Sequence, residues 1–353
     1  MMIGMGDIYK VIVAMTPLYV AFILGYGSVK WWKMFSHEQC DAINKFVCYF
    51  TLPLFAFYFT SQVDPFGWSY KFLAADAISK VIIVIVLVAW AKGSSNGSYT
   101  WLITSFSLST LTNSLVIGIP MFKAMYGDLG VKLVVQSCVF QGIVWLSTLL
   151  LFLEFYKAND SLSVDVDSQM LSDLERNDNL VSGTKITRPS FWSMTKTVCR
   201  KLIVNPNAHA SVIGITWAFI SNRWHIKMPT IIEGSVLIMS KAGIGSAMFS
   251  MGLCTALQVK ILACGVRLTV FGLVLRFIAG PAAMAVGCLA VGLRGDVLRI
   301  AIVQAALPQA IASFIYAKEY GLHADVLSTA VIVGMIVSLP VLIIYLTALG
   351  FLI

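Results

Sequence analysis

Apolar residues run through this chain in long blocks separated by short polar or aromatic stretches, a pattern that predicts ten membrane spans. The blocks cover about 7–29, 39–60, 70–91, 99–123, 131–156, 199–221, 230–251, 261–291, 297–318 and 324–349. Trp31, Trp32, Trp68, Trp90, Trp101, Trp192 and Trp224 fall at block ends, as an interfacial belt requires. A polar stretch at 158–197 separates residues 1–157 from residues 198–353, so each half carries five spans. Five is odd, and two similar halves of five spans must sit in the membrane with opposite orientation. The expected fold is an all-α polytopic membrane protein, its ten transmembrane helices arranged as two inverted five-helix repeats. A short hydrophilic loop, expected to be cytosolic, joins the repeats.

Two blocks are interrupted at corresponding places. The first break reads Thr110-Leu111-Thr112-Asn113-Ser114, with Gly118 and Pro120 following; the second reads Ala306-Leu307-Pro308-Gln309-Ala310. Counted from residue 198, Pro308 is position 111 of its half, beside Thr112 in the first. Hydrocarbon cannot satisfy exposed peptide groups, so broken helices persist at that depth only around a cavity or inside protein. Pro308 removes a donor and disfavours helix at Leu307, while Thr112, Asn113, Ser114 and Gln309 offer side-chain partners for freed backbone groups. A single such kink is more often structural. The matched pair, in the fourth and ninth spans, points to a transporter whose binding site lies between the inverted repeats near the bilayer midplane. Half-helix N-termini aimed into that site suit an anion such as a carboxylate.

Composition narrows the class further. Hydrophobic residues make up 58% of the chain and charged ones 12%, about half the charge of a soluble domain. The net charge of +8 is scattered over segment ends, which excludes a nucleic-acid partner. Seven dispersed cysteines form no metal-ligand spacing, and no HExxH or CxxC cluster supports a catalytic reading. Residues 8–29 are too long for a signal-peptide core and read as the first span. With the N-terminus outside the cytosol, thirteen lysines and arginines face the cytosol against eight opposite, so the central loop is expected there. Its Ser-, Asp- and Asn-rich part, 158–190, reads as disordered, and the Asn159-Asp160-Ser161 sequon would go unused.

Charged residues inside spans are costly and therefore informative. Asp76 and Lys80 share a helical face at spacing i, i+4, with Gln141 in the fifth span able to bond either. A bundle-stabilising ion pair and a functional relay are equally good readings from spacing alone. Lys241 and Arg276 have no evident partner, and snorkelling or packing is expected of both. Asn205-Pro206-Asn207 opens the sixth span, where capping is the plainer role for Asn207.

At the breaks the sequence resembles the plant PIN-type auxin efflux carriers, over both membrane halves. Leu111-Thr112-Asn113, Gly118-Ile119-Pro120 and Leu307-Pro308-Gln309 match that family's break motifs. So do Val204-Asn205-Pro206-Asn207, Ala247-Met248-Phe249-Ser250-Met251-Gly252-Leu253, Gly292-Leu293-Arg294-Gly295-Asp296 and Ala317-Lys318-Glu319-Tyr320. The short central loop is like that of the family's endoplasmic-reticulum branch. The resemblance implies a homodimer in membrane lipid, each ten-span protomer having a scaffold and a transport domain around crossed, broken fourth and ninth helices. It implies that indole-3-acetate and related aromatic carboxylates bind as anions at Asn113, Leu115, Asn207 and Ile311, with Leu52 lining the pocket. Asp76, Lys80 and Gln141 match the supporting polar cluster; Thr112, Pro308 and Gln309 form the crossover. Three positions depart from the family: Thr112 replaces a proline, Ser313 stands where many members have a second one, and Leu146 where tyrosine is frequent.

The expected function is therefore export of indole-3-acetate from the cytosol across the endoplasmic-reticulum membrane by alternating access, contributing to intracellular auxin homeostasis. The plasma membrane is a second expected location. Neither a cofactor nor a metal is expected, and no ATP-binding motif supplies a driving force. A sodium- or proton-coupled organic-acid symporter, with Asp76 as ion site, is the first alternative. A membrane-embedded enzyme is the second, weakened because Asp296 lies in Arg-Gly-Asp and no second aspartate is suitably placed.

Overall fold

A computed structural model describes residues 5–94, 97–158, 191–258, 260 and 262–352. Among these the architecture is helical, apart from one isolated antiparallel bridge between Thr112 and Gln309. The helices are α1 (Met5–Lys30), α2 (His37–Ser61), α3 (Tyr70–Gly93), α4 (Tyr99–Thr110), α5 (Ser114–Ala158) and α6 (Phe191–Val204). There follow α7 (Pro206–Trp224), α8 (Thr230–Leu257), α9 (Val266–Ala290), α10 (Gly295–Ala305), α11 (Ile311–Tyr320) and α12 (Ala324–Leu352). Among the described residues seven stretches, in α1, α2, α3, α5, α8, α9 and α12, are long and apolar enough to cross a membrane. The chain is a polytopic membrane protein.

Proline explains most of the irregularity. Wide π turns occupy Val47–Thr51, Ser114–Gly118 and Leu275–Ala279, each beginning six residues before a proline: Pro53, Pro120 and Pro281. A proline lacks the N–H of the next rung and its ring crowds the carbonyl four residues back, so the helix widens ahead of it instead of breaking. The 45-residue α5 is divided by Gly127, whose φ of +58° and ψ of −137° only glycine adopts easily. It thus supplies the end of the fourth predicted span and all of the fifth.

Two expected boundaries move. The block at 199–221 does not begin one helix: Asn205 accepts from the backbone N–H groups of Asn207 and Ala208, and Pro206 opens α7 at its first turn. The preceding α6 starts at Phe191, inside the stretch read as loop. The disorder expected of the central loop and the sequon at Asn159 fall on residues 159–190, outside those described.

Small residues set how closely helices approach. A Cβ added to Gly25 of α1 would lie 2.1 Å from the Phe249 carbonyl oxygen of α8, and one on Gly252 would lie 2.1 Å from that of Phe22. Reciprocal glycines let these two helices run in close contact, the usual device where apolar lipid leaves no hydrophobic drive between helices. The helix α2 packs on α7 and α8, whereas α3 packs along α9 and α9 on α10 and α12. A continuous core built around Phe72, Ile117, Met121, Phe122, Val303 and Leu307 borders both breaks, and Leu111 and Ala310 belong to a second cluster with Phe106 and Trp145.

Candidate functional site

The fourth and ninth predicted spans are each two half-helices, and their interruptions lie against one another. Asn113 N donates to the Pro308 carbonyl oxygen at 2.8 Å, and Ala310 N donates to that of Leu111 at 3.1 Å. Each freed backbone segment thus satisfies the other, the requirement that hydrocarbon depth imposes. Gln309 fastens its own side: Nε2 donates to the Ser107 carbonyl oxygen at 2.9 Å and to Ser313 Oγ at 2.8 Å. Thr112, Asn113 and Gln309 are 6%, 8% and 1% exposed. The three residues read as the crossover, Thr112, Pro308 and Gln309, are at one junction.

Gln141 does not bond the Asp76–Lys80 pair, as its composition alone allowed. It holds Thr112 instead, accepting at Oε1 from Thr112 N at 2.9 Å and Oγ1 at 3.0 Å while Nε2 donates to the Thr112 carbonyl oxygen at 2.8 Å. The reason is local: Gln141 opens a π turn, Gln141–Trp145, directly beside the extended residues of the break. The proline frequent at the threonine's position in the resembling family could not make the first of these bonds. Gln304 completes the shell from the other half, its Nε2 donating to Ser114 Oγ at 2.5 Å and to Ser137 Oγ at 3.2 Å.

Asp76 and Lys80 are paired as their spacing predicts, 3% and 7% exposed on one face of α3. The partner that sequence reasoning missed is Trp145, whose indole Nε1 donates to Asp76 Oδ2 at 2.8 Å and whose ring lies 5.4 Å from Lys80 Nζ. A buried pair is tolerable only when its remaining lone pairs are also used, and the indole supplies that bond. A small cavity of about 10 Å³ joins Asp76 and Lys80 to Thr112, Ser137, Gln304 and Arg276.

Arg276 is not a snorkelling residue. It is 1% exposed, and its guanidinium donates to the carbonyl oxygens of Leu108 and Leu111, at 3.3 and 3.1 Å, and to that of Ala305. These acceptors are at the C-terminal ends of α4 and α10. Lys241, by contrast, is exposed.

The expected substrate residues are placed less uniformly. Asn113 occupies the N-cap position of the half-helix that starts at Ser114 without a side-chain capping bond, and its Nδ2 is buried with no hydrogen-bond partner among the described residues. Leu52, Leu115 and Ile311 are half-buried and pack on the same central core; Leu115 and Ile311 stand in the first turns of their half-helices. Asn207 is not the cap, a role Asn205 takes; it is half-buried in the first turn of α7, with Oδ1 buried and unpartnered among the described residues. No hydrogen bond joins Asn207 to the other four within the described structure.

Three junction residues escaped the sequence reading: Gln304, Trp145 and, in its true role, Arg276. A plain inventory of polar groups within apolar blocks contains them all, since each is an expensive choice at that depth unless partnered.

A membrane transport protein family matches residues 10–346. The chain is 63% identical to auxin efflux carrier component 5 of Arabidopsis thaliana, covering 99% of both proteins. It is 56% identical to probable auxin efflux carrier component 5a of Oryza sativa subsp. japonica, covering 97% of each. Identity to auxin efflux carrier component 8 of Arabidopsis thaliana is 36%, with 98% of both chains covered. Paired broken helices, a buried polar junction and matches spanning whole chains agree, and the chain belongs to the membrane transport protein family, among the auxin efflux carriers.

Proposed function

We propose that this protein carries indole-3-acetate, as its anion, from the cytosol across the endoplasmic-reticulum membrane by alternating access. The reading takes the helices as ten spans in two inverted five-helix repeats, residues 1–157 and 198–353, joined by a short cytosolic loop at 158–197. The fourth and ninth spans cross at the junction. One observation carries the proposal: Asn113 presents a buried amide donor, unpartnered among the described residues, where two half-helices begin. Each N-terminus contributes roughly half a positive charge, so an anion held there meets about one unit of opposite charge plus a hydrogen-bond donor. Leu52, Leu115 and Ile311 offer apolar surface for an aromatic ring, and Asn207 a second amide. Such an anion crosses bare hydrocarbon very slowly, which is why a carrier is needed.

Asp76, Lys80 and Gln141 support the site from behind it rather than touching the substrate. Asp76 already holds Lys80 and Trp145, which weighs against the ion-coupled symporter, where this carboxylate would bind the coupling ion. The homodimer and the endoplasmic-reticulum location rest on resemblance to the short-loop members. The test is uptake of radiolabelled indole-3-acetate into liposomes holding the purified protein, with and without sodium and proton gradients. Saturable flux without either gradient is expected; flux that requires sodium selects the symporter, and no flux sinks both.

A further inference from the structure

Arg276 lies at the eleventh of the 25 residues of α9, about 15 Å of helix from its start, so the side chain cannot reach an interface. Local sequence explains how it comes to face the junction. Pro281 imposes the π turn Leu275–Ala279 that carries Arg276, and Gly280 lets α9 approach closely: a Cβ there would lie 2.7 Å from the Ser109 carbonyl oxygen.

The ends of α4 and α10 each carry roughly half a negative charge from carbonyls with no helical partner. Leu108 O is such an orphan because the N–H four residues on, that of Thr112, is committed to Gln141. Two such ends sum to about one negative charge, which one guanidinium matches. Asp76 and Lys80, which line the same cavity, already pair with each other. Half-helix C-termini of this kind coordinate cations in other transporters.

We propose that Arg276 is a built-in counter-ion for the two C-terminal half-helix ends, occupying the place that a bound cation would otherwise have to fill. It is a positioning residue: it holds the two breaks in register so that their N-terminal ends face one anion, and it does not itself touch that anion. The proposal rests on the functional reading above only where flux is measured. Its site, chemistry and first test concern the protein alone.

The probe is guanidinium itself. Purified wild-type protein and Arg276→Ala are unfolded thermally in lipid nanodiscs across a millimolar series of guanidinium chloride, with choline chloride as the ionic-strength control. The variant is expected to unfold several degrees lower and to recover most of that loss in guanidinium but not in choline, while the wild type responds to neither. Arg276→Met, of similar volume but uncharged, should stay low. In liposomes the alanine variant should lose roughly tenfold or more of its indole-3-acetate flux and regain part of it with guanidinium. Wild-type stability in Arg276→Met, or an alanine variant indifferent to guanidinium, overturns the proposal. If the alanine variant cannot be purified, Arg276→Lys against Arg276→Met decides: greater stability for lysine supports a counter-ion, and equal or lower stability overturns it. Absence of flux in every protein, with the thermal rescue intact, would count against the substrate and leave Arg276 where it is placed.

Discussion

Thr112 and Gln141 grip each other across one residue of extended backbone: Thr112 N donates to Gln141 Oε1 at 2.9 Å, and Gln141 Nε2 returns a bond to the Thr112 carbonyl oxygen at 2.8 Å. The threonine is thus a positive feature of this carrier and not merely a missing proline. Removing the amide strands two buried backbone groups, so Gln141→Leu is expected to cost about 1–3 kcal/mol. In a Thr112→Pro background the same change should cost less, because the N–H and hydroxyl that the amide served are already gone. Thermal unfolding of the four proteins in the cycle measures this, and equal costs in both backgrounds would show that the bonds from the Thr112 N–H and hydroxyl carry no stability.

Asn113→Ala should weaken indole-3-acetate binding roughly ten- to a hundredfold, the equivalent of about 1.5–3 kcal/mol for a bond to a charged group. Stability should change little, because Nδ2 has no protein partner to lose among the described residues. Undiminished binding by the purified variant removes Asn113 from the site.

Asp76 and Lys80 separate a structural from a functional role. Either single neutralisation strands a buried charge and should destabilise the protein by about 3–5 kcal/mol. The double variant Asp76→Asn with Lys80→Met is expected to recover stability but to transport poorly, since neutral packing cannot reproduce the field behind the junction. A double variant with wild-type flux across the working pH range would mark the pair as structural only.

Trp145→Phe tests the indole bond without removing the ring. It deletes a donor to Asp76 Oδ2 while keeping a ring under Lys80, and should cost about 1.5–3 kcal/mol. The loss should vanish in the Asp76→Asn, Lys80→Met background, where no carboxylate remains to be served. A persistent loss there would assign the indole to packing.

Outside the spans, His323 accepts or donates at Nδ1 to Thr104 Oγ1 at 2.8 Å and stacks on Trp101 with ring centroids 4.2 Å apart. Burial lowers its pKa below the ordinary value of 6.5. A depressed folded-state pKa favours the neutral ring, so its contribution is complete above about pH 6.5 and is lost as pH falls through the lower folded value. His323→Gln should therefore flatten the acid side of the stability profile, and an unchanged profile would assign that slope to other groups.

Much of this protein follows from the linear chain. Block length and apolarity determined where most spans lie, because a helix crossing hydrocarbon needs about twenty apolar residues whatever surrounds it. The paired breaks were legible for a similar reason: Pro308 and the Thr112-Asn113-Ser114 run disrupt helices by local chemistry. Asp76 and Lys80 paired as i, i+4 geometry on one helix requires. What the tertiary structure decided was every partnership between segments distant in sequence. Gln141 was within reach of several groups in principle, and only the packing of α5 beside the break delivered it to Thr112 and Trp145 to Asp76. Arg276 had no visible partner because its acceptors are backbone carbonyls, which carry no residue signature and become available only where two helices end. A side chain's identity is written in the sequence; the unsatisfied ends it answers arise only when the chain folds.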